Sequence, residues 1–130
     1  LVYIQEPGRF RQPRDTMEAG VCLSEFERER LFPHRIHRRV ALTHMRPEVF
    51  RGHLYPLFPD PSQSRVLGYI NRGGTLNEAG MLFANGCSWG HALAACAGVM
   101  DKPPGEWLSS AELAAVEGRG DPAVITRGLP

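Results

Sequence analysis

The chain has 130 residues, of which 42% are hydrophobic and 22% charged, and its formal net charge is +1. This composition is typical of a globular domain and excludes a disordered chain, and the length is sufficient for a core without disulfides or a metal. The longest strongly apolar run, residues 92–100, is too short to cross a bilayer, and no stretch has the pattern of a secretion signal, so we expect no membrane association.

Residues 1–22 are predicted to form an extended arm, and residues 23–130 a single domain. Prolines and charges dominate the arm, although its first four residues could add a short edge strand. Ser24 and Glu27 then have the spacing of a capping box, which predicts a helix up to Phe32, and Pro33 ends it.

A strand, a helix and a second strand are predicted next. The segment 39–44 (RVALTH) has the β-branched residues and apolar centre of a buried strand, and the segment 65–71 (RVLGYIN) is similar. Between them, Pro47 predicts the start of a helix, because proline at the first helical position lacks only a donor that would be unpaired anyway.

A third strand is predicted at residues 81–85 (MLFAN), followed by a helix over residues 90–101 and another after the capping-box spacing of Ser109 and Glu112. The connection between the second and third strands is too short for a crossover helix, so we expect that these strands pair antiparallel or that the loop leads across the sheet. The predicted fold is therefore α+β (or small α/β), with a mixed sheet of three to four strands covered by three to four helices.

The pattern at residues 86–90 (GCSWG) lies between the predicted third strand and the next helix. Such a turn can present a nucleophile, because small residues let the backbone fold beneath it and the helix amino end stabilises developing negative charge. Over about ten residues this segment resembles the nucleophile elbow of the α/β-hydrolases. In that family the acid and the histidine follow the serine, whereas here the only later histidine is His91.

The turn supports two nucleophile hypotheses. Ser88 fits the hydrolase pattern, whereas Cys87 is a competitor because a thiol at a helix amino end ionises more easily. His91 lies one helical turn away and would serve either as a base. The alternatives are glycines that only shape the turn and a buried, unreactive cysteine.

Polar residues also follow each predicted strand, where loops and helix amino ends present free donors to ligands. They are Thr43, His44 and Arg46 after the first strand, Asn71 and Arg72 after the second, and Asn85, Cys87 and Ser88 after the third. His44 would move a proton, Arg46 would hold an anion, and Thr43, Asn71, Arg72 and Asn85 would bind substrate. If the second strand is antiparallel to the third, Asn71 and Arg72 fall at the opposite end of the sheet.

The charges are unevenly distributed. Residues 28–53 contain seven arginines and four of the five histidines against two glutamates, a density that attracts phosphate, carboxylate or nucleic acid. The absence of interleaved aromatics and of a known nucleic-acid-binding pattern argues against nucleic acid and leaves an anionic small molecule as the expected partner. Solvated arginines, or the arginine excess that a GC-rich genome produces, are the alternatives.

Cysteine usage favours a reducing compartment, and hence the cytoplasm, because the three cysteines are odd in number and have no CxxC spacing. No metal site is predicted, since His34 and His37 have no carboxylate partner at ligand spacing. Phosphate loops and dinucleotide fingerprints are absent from the sequence, so no cofactor is expected.

These observations leave two functions open. The first is a small cytoplasmic enzyme or enzyme domain, a hydrolase or transferase that acts on an anionic carboxylate or phosphate. It would use acyl or ester transfer, with Ser88 or Cys87 as nucleophile, His44 or His91 as acid and base, and Arg46 as clamp. The second is a non-catalytic ligand-binding or homo-oligomer-forming subunit, whose small-residue helix over residues 90–101 packs on a partner.

Overall fold

The computed structural model describes residues 1–70 and 76–127 and is mostly helical, with 49% helix and 7% strand. The helices are α1 (Thr16–Ala19), α2 (Glu25–Leu31), α3 (Pro47–His53), α4 (Glu78–Ala84), α5 (Trp89–Val99), α6 (Ser110–Val116) and α7 (Ala123–Thr126). The strands are β1 (Arg39–Leu42) and β2 (Ser64–Leu67), and short 3-10 turns cover Pro7–Phe10, Tyr55–Leu57, Pro61–Gln63 and Pro104–Glu106. Within the described ranges, no helix has the length and apolar character needed to cross a bilayer.

The two strands pair in parallel, from Arg39 opposite Ser64 to Leu42 opposite Leu67, and α3 lies between them in the chain. The predicted strand-helix-strand unit is therefore present. The predicted mixed sheet of three to four strands is wrong, because the sheet of the described residues has only these two strands.

The error lies in the predicted third strand, since residues 81–85 are the end of α4 and its C-cap. The side chain of Asn77 begins this helix by accepting a hydrogen bond from the N–H of Gly80 at 2.8 Å, and Glu78 stands at the positive helix end. Met, Leu and Ala favour a helix, and the segment has no β-branched residue. The predicted antiparallel pairing fails with the strand.

An aromatic core fills the first half of the molecule. Its buried members are Phe10, Phe50, Leu54, Leu57 and Phe58. Phe10 belongs to the turn Pro7–Phe10, so the first 22 residues, predicted as an extended arm, contain a turn and α1 and contribute a side chain to this core. Their division from the rest of the chain as a separate unit stays a prediction.

Helix α5 is the central element of the second half of the chain, because it contacts both strands and also α6 and α7. The small residues of α5 permit this close packing, and the sequence predicted such packing against the sheet. Ala97 of α5 is fully buried, and so are Ala115 of α6 and Ile125 of α7. A Cβ added at Gly90 would lie 2.7 Å from Cγ2 of Ile125. Packing on a second copy, the alternative role predicted for α5, stays a prediction.

The contact of Gly90 with Ile125 yields a test of this packing. We expect Gly90→Ala to lower the free energy of unfolding by about 1–3 kcal/mol, because the new methyl group overpacks the joint. Gly98→Ala in the same helix is the matched control, because a Cβ there meets nothing within 4 Å, and we expect it to stabilise the chain by up to about 1 kcal/mol. Urea denaturation of both variants measures the difference, and equal effects would contradict the packing.

Candidate functional site

The pattern at residues 86–90 covers the turn after α4 and the first two residues of α5, so it follows a helix, and the strand-to-helix elbow predicted from it is wrong. Gly86 has a φ of +65°, and its N–H donates to the carbonyl of Phe83 at 2.9 Å. The N–H of Cys87 donates to the carbonyl of Leu82 at 2.7 Å. This pair of bonds is the Schellman ending of a helix, which requires a residue with positive φ and therefore favours glycine at position 86.

Of the predicted catalytic residues, Ser88 and His91 lie in contact. Ser88 is the N-cap of α5, and its Oγ lies 2.7 Å from Nδ1 of His91. Burial lowers the pKa of His91, so a neutral imidazole is favoured whose Nδ1 can accept the hydroxyl proton. This is the arrangement of a nucleophile and its base, but Ser88 is only 2% exposed, and a substrate would reach it only after the turn opened.

The surroundings of His91 are apolar. Its ring lies edge-on to Phe83, with 5.7 Å between the centroids. Among residues 1–70 and 76–127, no carboxylate is hydrogen-bonded to the imidazole, so the third group that orients a catalytic histidine is not supplied by that part of the chain.

Cys87 is buried, with 3% of its surface exposed, and its Sγ lies 3.5 Å from the carbonyl oxygen of Asn85. Burial raises the pKa of the Cys87 thiol. The thiolate is therefore disfavoured, which is the opposite of the activation expected at a helix amino end.

Asn85, predicted to bind substrate, links the end of α4 by hydrogen bonds to Ile70, three residues after the end of β2. Its Oδ1 accepts a hydrogen bond from the N–H of Ile70 at 2.9 Å, and its Nδ2 donates to the carbonyl of Met81 at 2.9 Å. Because both ends of the buried amide bind backbone groups, Asn85 fixes the position of the turn beside the end of β2.

The residues after β1 lie at the same edge of the sheet as the end of β2, because the strands are parallel. Thr43 is half-buried, and its Oγ1 accepts a hydrogen bond from the N–H of Met45 at 3.1 Å. His44 and Arg46 are exposed to solvent, and Arg46 precedes the first residue of α3. Asn71 and Arg72 lie outside the described residues.

A cavity of about 300 Å³ lies elsewhere, beside the start of β1. Most of its lining is apolar and comes from residues 1–4, the end of α2, the loop that follows, β1 and the aromatic core. Its apolar members include Leu31, Phe32, Ile36, Phe50 and Phe58. Its charged lining residues are Arg38 and Arg39. Arg38 is paired with Asp101, with 2.6 Å between Nη2 and Oδ2.

Arg39 is held by backbone carbonyls. Its Nε donates to Ile36 at 2.9 Å, its Nη1 donates to Leu57, and its Nη2 donates to Phe32 at 3.0 Å and to Pro33 at 2.7 Å. The guanidinium also lies 5.5 Å from the centre of the Phe32 ring. Burial lowers the pKa of Arg39, which is half-buried, and the negative charge of Glu29 offsets only part of this shift. No carboxylate of the described ranges forms an ion pair with Arg39.

A second, more polar cavity of about 280 Å³ shares Phe32 and Leu57 with the first. Arg28 and His34 line it, and the imidazole of His34 is paired with Glu29. The N–H of His34 also binds this carboxylate, and that hydrogen bond lowers the pKa of Glu29.

The Arg39 cavity was missed by the sequence analysis, which assigned the anion clamp to Arg46. A signal was present, because Arg39 is a charged residue at the start of an apolar strand. In the described part of the chain, no three His, Cys, Asp or Glu side chains converge as a metal site requires. Comparisons with known protein families, with characterised proteins and with solved structures found no match to this chain.

The burial of His91 predicts a pH dependence of stability. Because its pKa is lowered by folding, the unfolded chain binds a proton more readily, and stability is lost as the pH falls below the ordinary histidine pKa of about 6.5. We expect the free energy of unfolding to decrease from pH 7 to pH 5 more steeply in the wild type than in His91→Asn, as measured by urea denaturation. Equal slopes would contradict a buried, neutral imidazole.

Five carboxylates also have a pKa that folding lowers, because hydrogen bonds stabilise their charged forms: Glu18, Glu27, Glu29, Asp60 and Glu112. Their contribution to stability is lost only as the pH falls below the ordinary carboxyl pKa of about 4, which is outside the range from pH 7 to pH 5.

Proposed function

We propose that this chain is a non-catalytic domain that binds an anionic small molecule in the cavity beside Arg39. The observation that carries the proposal is a half-buried guanidinium that borders an otherwise mostly apolar cavity and has no ion-pair partner in the described ranges. Removing a charge from water is costly unless a counter-charge accompanies it. An anionic ligand in the cavity would supply that counter-charge.

The position of Arg39 favours this residue, and not Arg46, as the one that binds the anion. Arg46 is exposed to solvent, where water screens its attraction for an anion. Arg39 acts at the wall of a cavity, and its side chain is already fixed by carbonyls of Phe32, Pro33 and Ile36, so little side-chain entropy is lost on binding.

The size of the cavity supports a small ligand. A volume of about 300 Å³ is at the lower end of the range for small-molecule sites. We also propose the cytoplasm as the location, because the three cysteines are free and suit a reducing compartment.

Blocking the cavity tests this proposal. Ile36 lines the cavity and is partly exposed, so we expect Ile36→Trp to fill it and to weaken binding of benzoate and phenyl phosphate at least tenfold. Val21→Trp is the control, because Val21 is exposed and does not line the cavity. Binding is followed by shifts of the backbone amide NMR signals of residues 31–41. Absence of these shifts in the wild type, or equal affinity in Ile36→Trp, would refute the proposal.

A second candidate function is acyl or ester hydrolysis by Ser88. It is favoured by the 2.7 Å separation of Ser88 Oγ and His91 Nδ1, which suits proton transfer from the hydroxyl to the imidazole. The reaction would require the turn to expose Ser88 transiently. Cys87 is the less favoured candidate, because burial raises the pKa of its thiol and the imidazole of His91 is hydrogen-bonded to Ser88 instead.

Covalent labelling decides between binding and hydrolysis. For a non-catalytic domain, we expect a fluorophosphonate probe to leave the folded chain unmodified, because Ser88 is buried. Labelling that persists in Cys87→Ala and disappears in Ser88→Ala, as read by mass spectrometry, would establish the hydrolase instead.

A further inference from the structure

We infer that the ligand of the Arg39 cavity is an apolar monocarboxylate, with its carboxylate at Nη1 of Arg39 and its hydrocarbon body between Leu31, Phe50 and Phe58. This inference rests on the proposed function, and it selects among the anions that the cavity could admit. Three features lead to it: the donors that Arg39 has left, the apolar lining of the cavity, and the wall that Phe32 contributes.

The first feature is the number of donors. A guanidinium has five N–H groups, and backbone carbonyls occupy the Nε donor, both donors of Nη2 and one donor of Nη1. One N–H on Nη1 is left for a ligand. Arg38, the other cation in the lining, is already paired with Asp101. A singly charged carboxylate can be satisfied by so few donors, whereas a phosphate dianion presents three oxygens that require more.

The second feature is the apolar lining. Leu31 and Ile36 come from the end of α2 and the loop that follows it, and Phe50 and Phe58 come from the aromatic core. These side chains offer no hydrogen bond to a sugar or a second charged group. They favour a ring or a short hydrocarbon chain, because binding removes apolar surface of both partners from water.

The third feature is the wall formed by Phe32. Its ring lies against the guanidinium of Arg39 and packs edge-on against Phe10, with 5.8 Å between the ring centroids. Phe32 and Leu57 line both cavities, whereas Arg28 and His34 line only the polar one. The polar group of a ligand in the first cavity is therefore placed at Arg39 and not at Arg28 or His34.

Isothermal titration of the full chain at pH 7 tests the inference with four probes. Phenylacetate has both the ring and the carboxylate, phenyl phosphate replaces the carboxylate, 2-phenylethanol lacks the charge, and acetate lacks the ring. We expect phenylacetate to bind at least tenfold more tightly than each of the other three.

The outcomes separate this inference from the proposed function. Equal or tighter binding of phenyl phosphate, or equal binding of acetate, overturns the monocarboxylate assignment and leaves anion binding intact. Equal binding of 2-phenylethanol overturns both, because the charge would then contribute nothing. If none of the four probes binds, the proposed function itself is refuted.

A substitution locates the carboxylate. We expect Arg39→Gln to weaken the binding of phenylacetate at least tenfold. Arg35→Gln is the control and should change the affinity for phenylacetate less than twofold, because Arg35 is exposed and does not line the cavity. Equal affinities in these two variants overturn the assignment of the carboxylate to Arg39. If Arg39→Gln does not fold, the phenylacetate-induced NMR shifts of the Arg39 side-chain Nε–H and Nη–H groups decide instead, and their absence overturns it.

Discussion

The binding of the Arg39 guanidinium to backbone carbonyls holds the first half of the structure together. Through it, the start of β1 is fixed to the loop after α2, at Phe32 and Pro33, and to Leu57 beyond α3. These segments form the walls of the apolar cavity. A charged side chain therefore occupies the start of an apolar strand because it binds carbonyls of the neighbouring loop and turn, and the same placement brings a positive charge to the cavity.

The turn at residues 86–90 shows how one pattern can satisfy two different folds. A nucleophile elbow and a tight joint between helices both need small residues, the first beneath a serine and the second for packing. Here Gly86 ends α4 with a positive φ, and Gly90 lets α5 approach Ile125. Each glycine has a structural explanation, so the pattern alone no longer favours catalysis, and only the Ser88–His91 contact keeps that hypothesis open.

Local signals in the sequence were reliable where side chains bind their own backbone. The capping boxes at Ser24 and Ser109 both form, and α3 begins at Pro47. The apolar run at residues 81–85 is too short for its periodicity to distinguish a strand from a helix. The residue that indicated a helix is Asn77, which caps α4. The cavity could not be predicted, because its lining comes from segments as distant as Ile4, Leu31 and Phe58, which only tertiary packing brings together.

The two candidate sites differ in what they leave unsatisfied. Ser88, His91 and Asn85 bind one another or the backbone, and in the described ranges no fully buried side-chain polar atom lacks a hydrogen-bond partner. The turn is thus complete without a ligand. At Arg39 the carbonyl dipoles satisfy most donors but cannot cancel a full charge. A ligand gains most where it neutralises such a charge, so binding energy is concentrated at the Arg39 cavity and not at the turn that the sequence pattern selected.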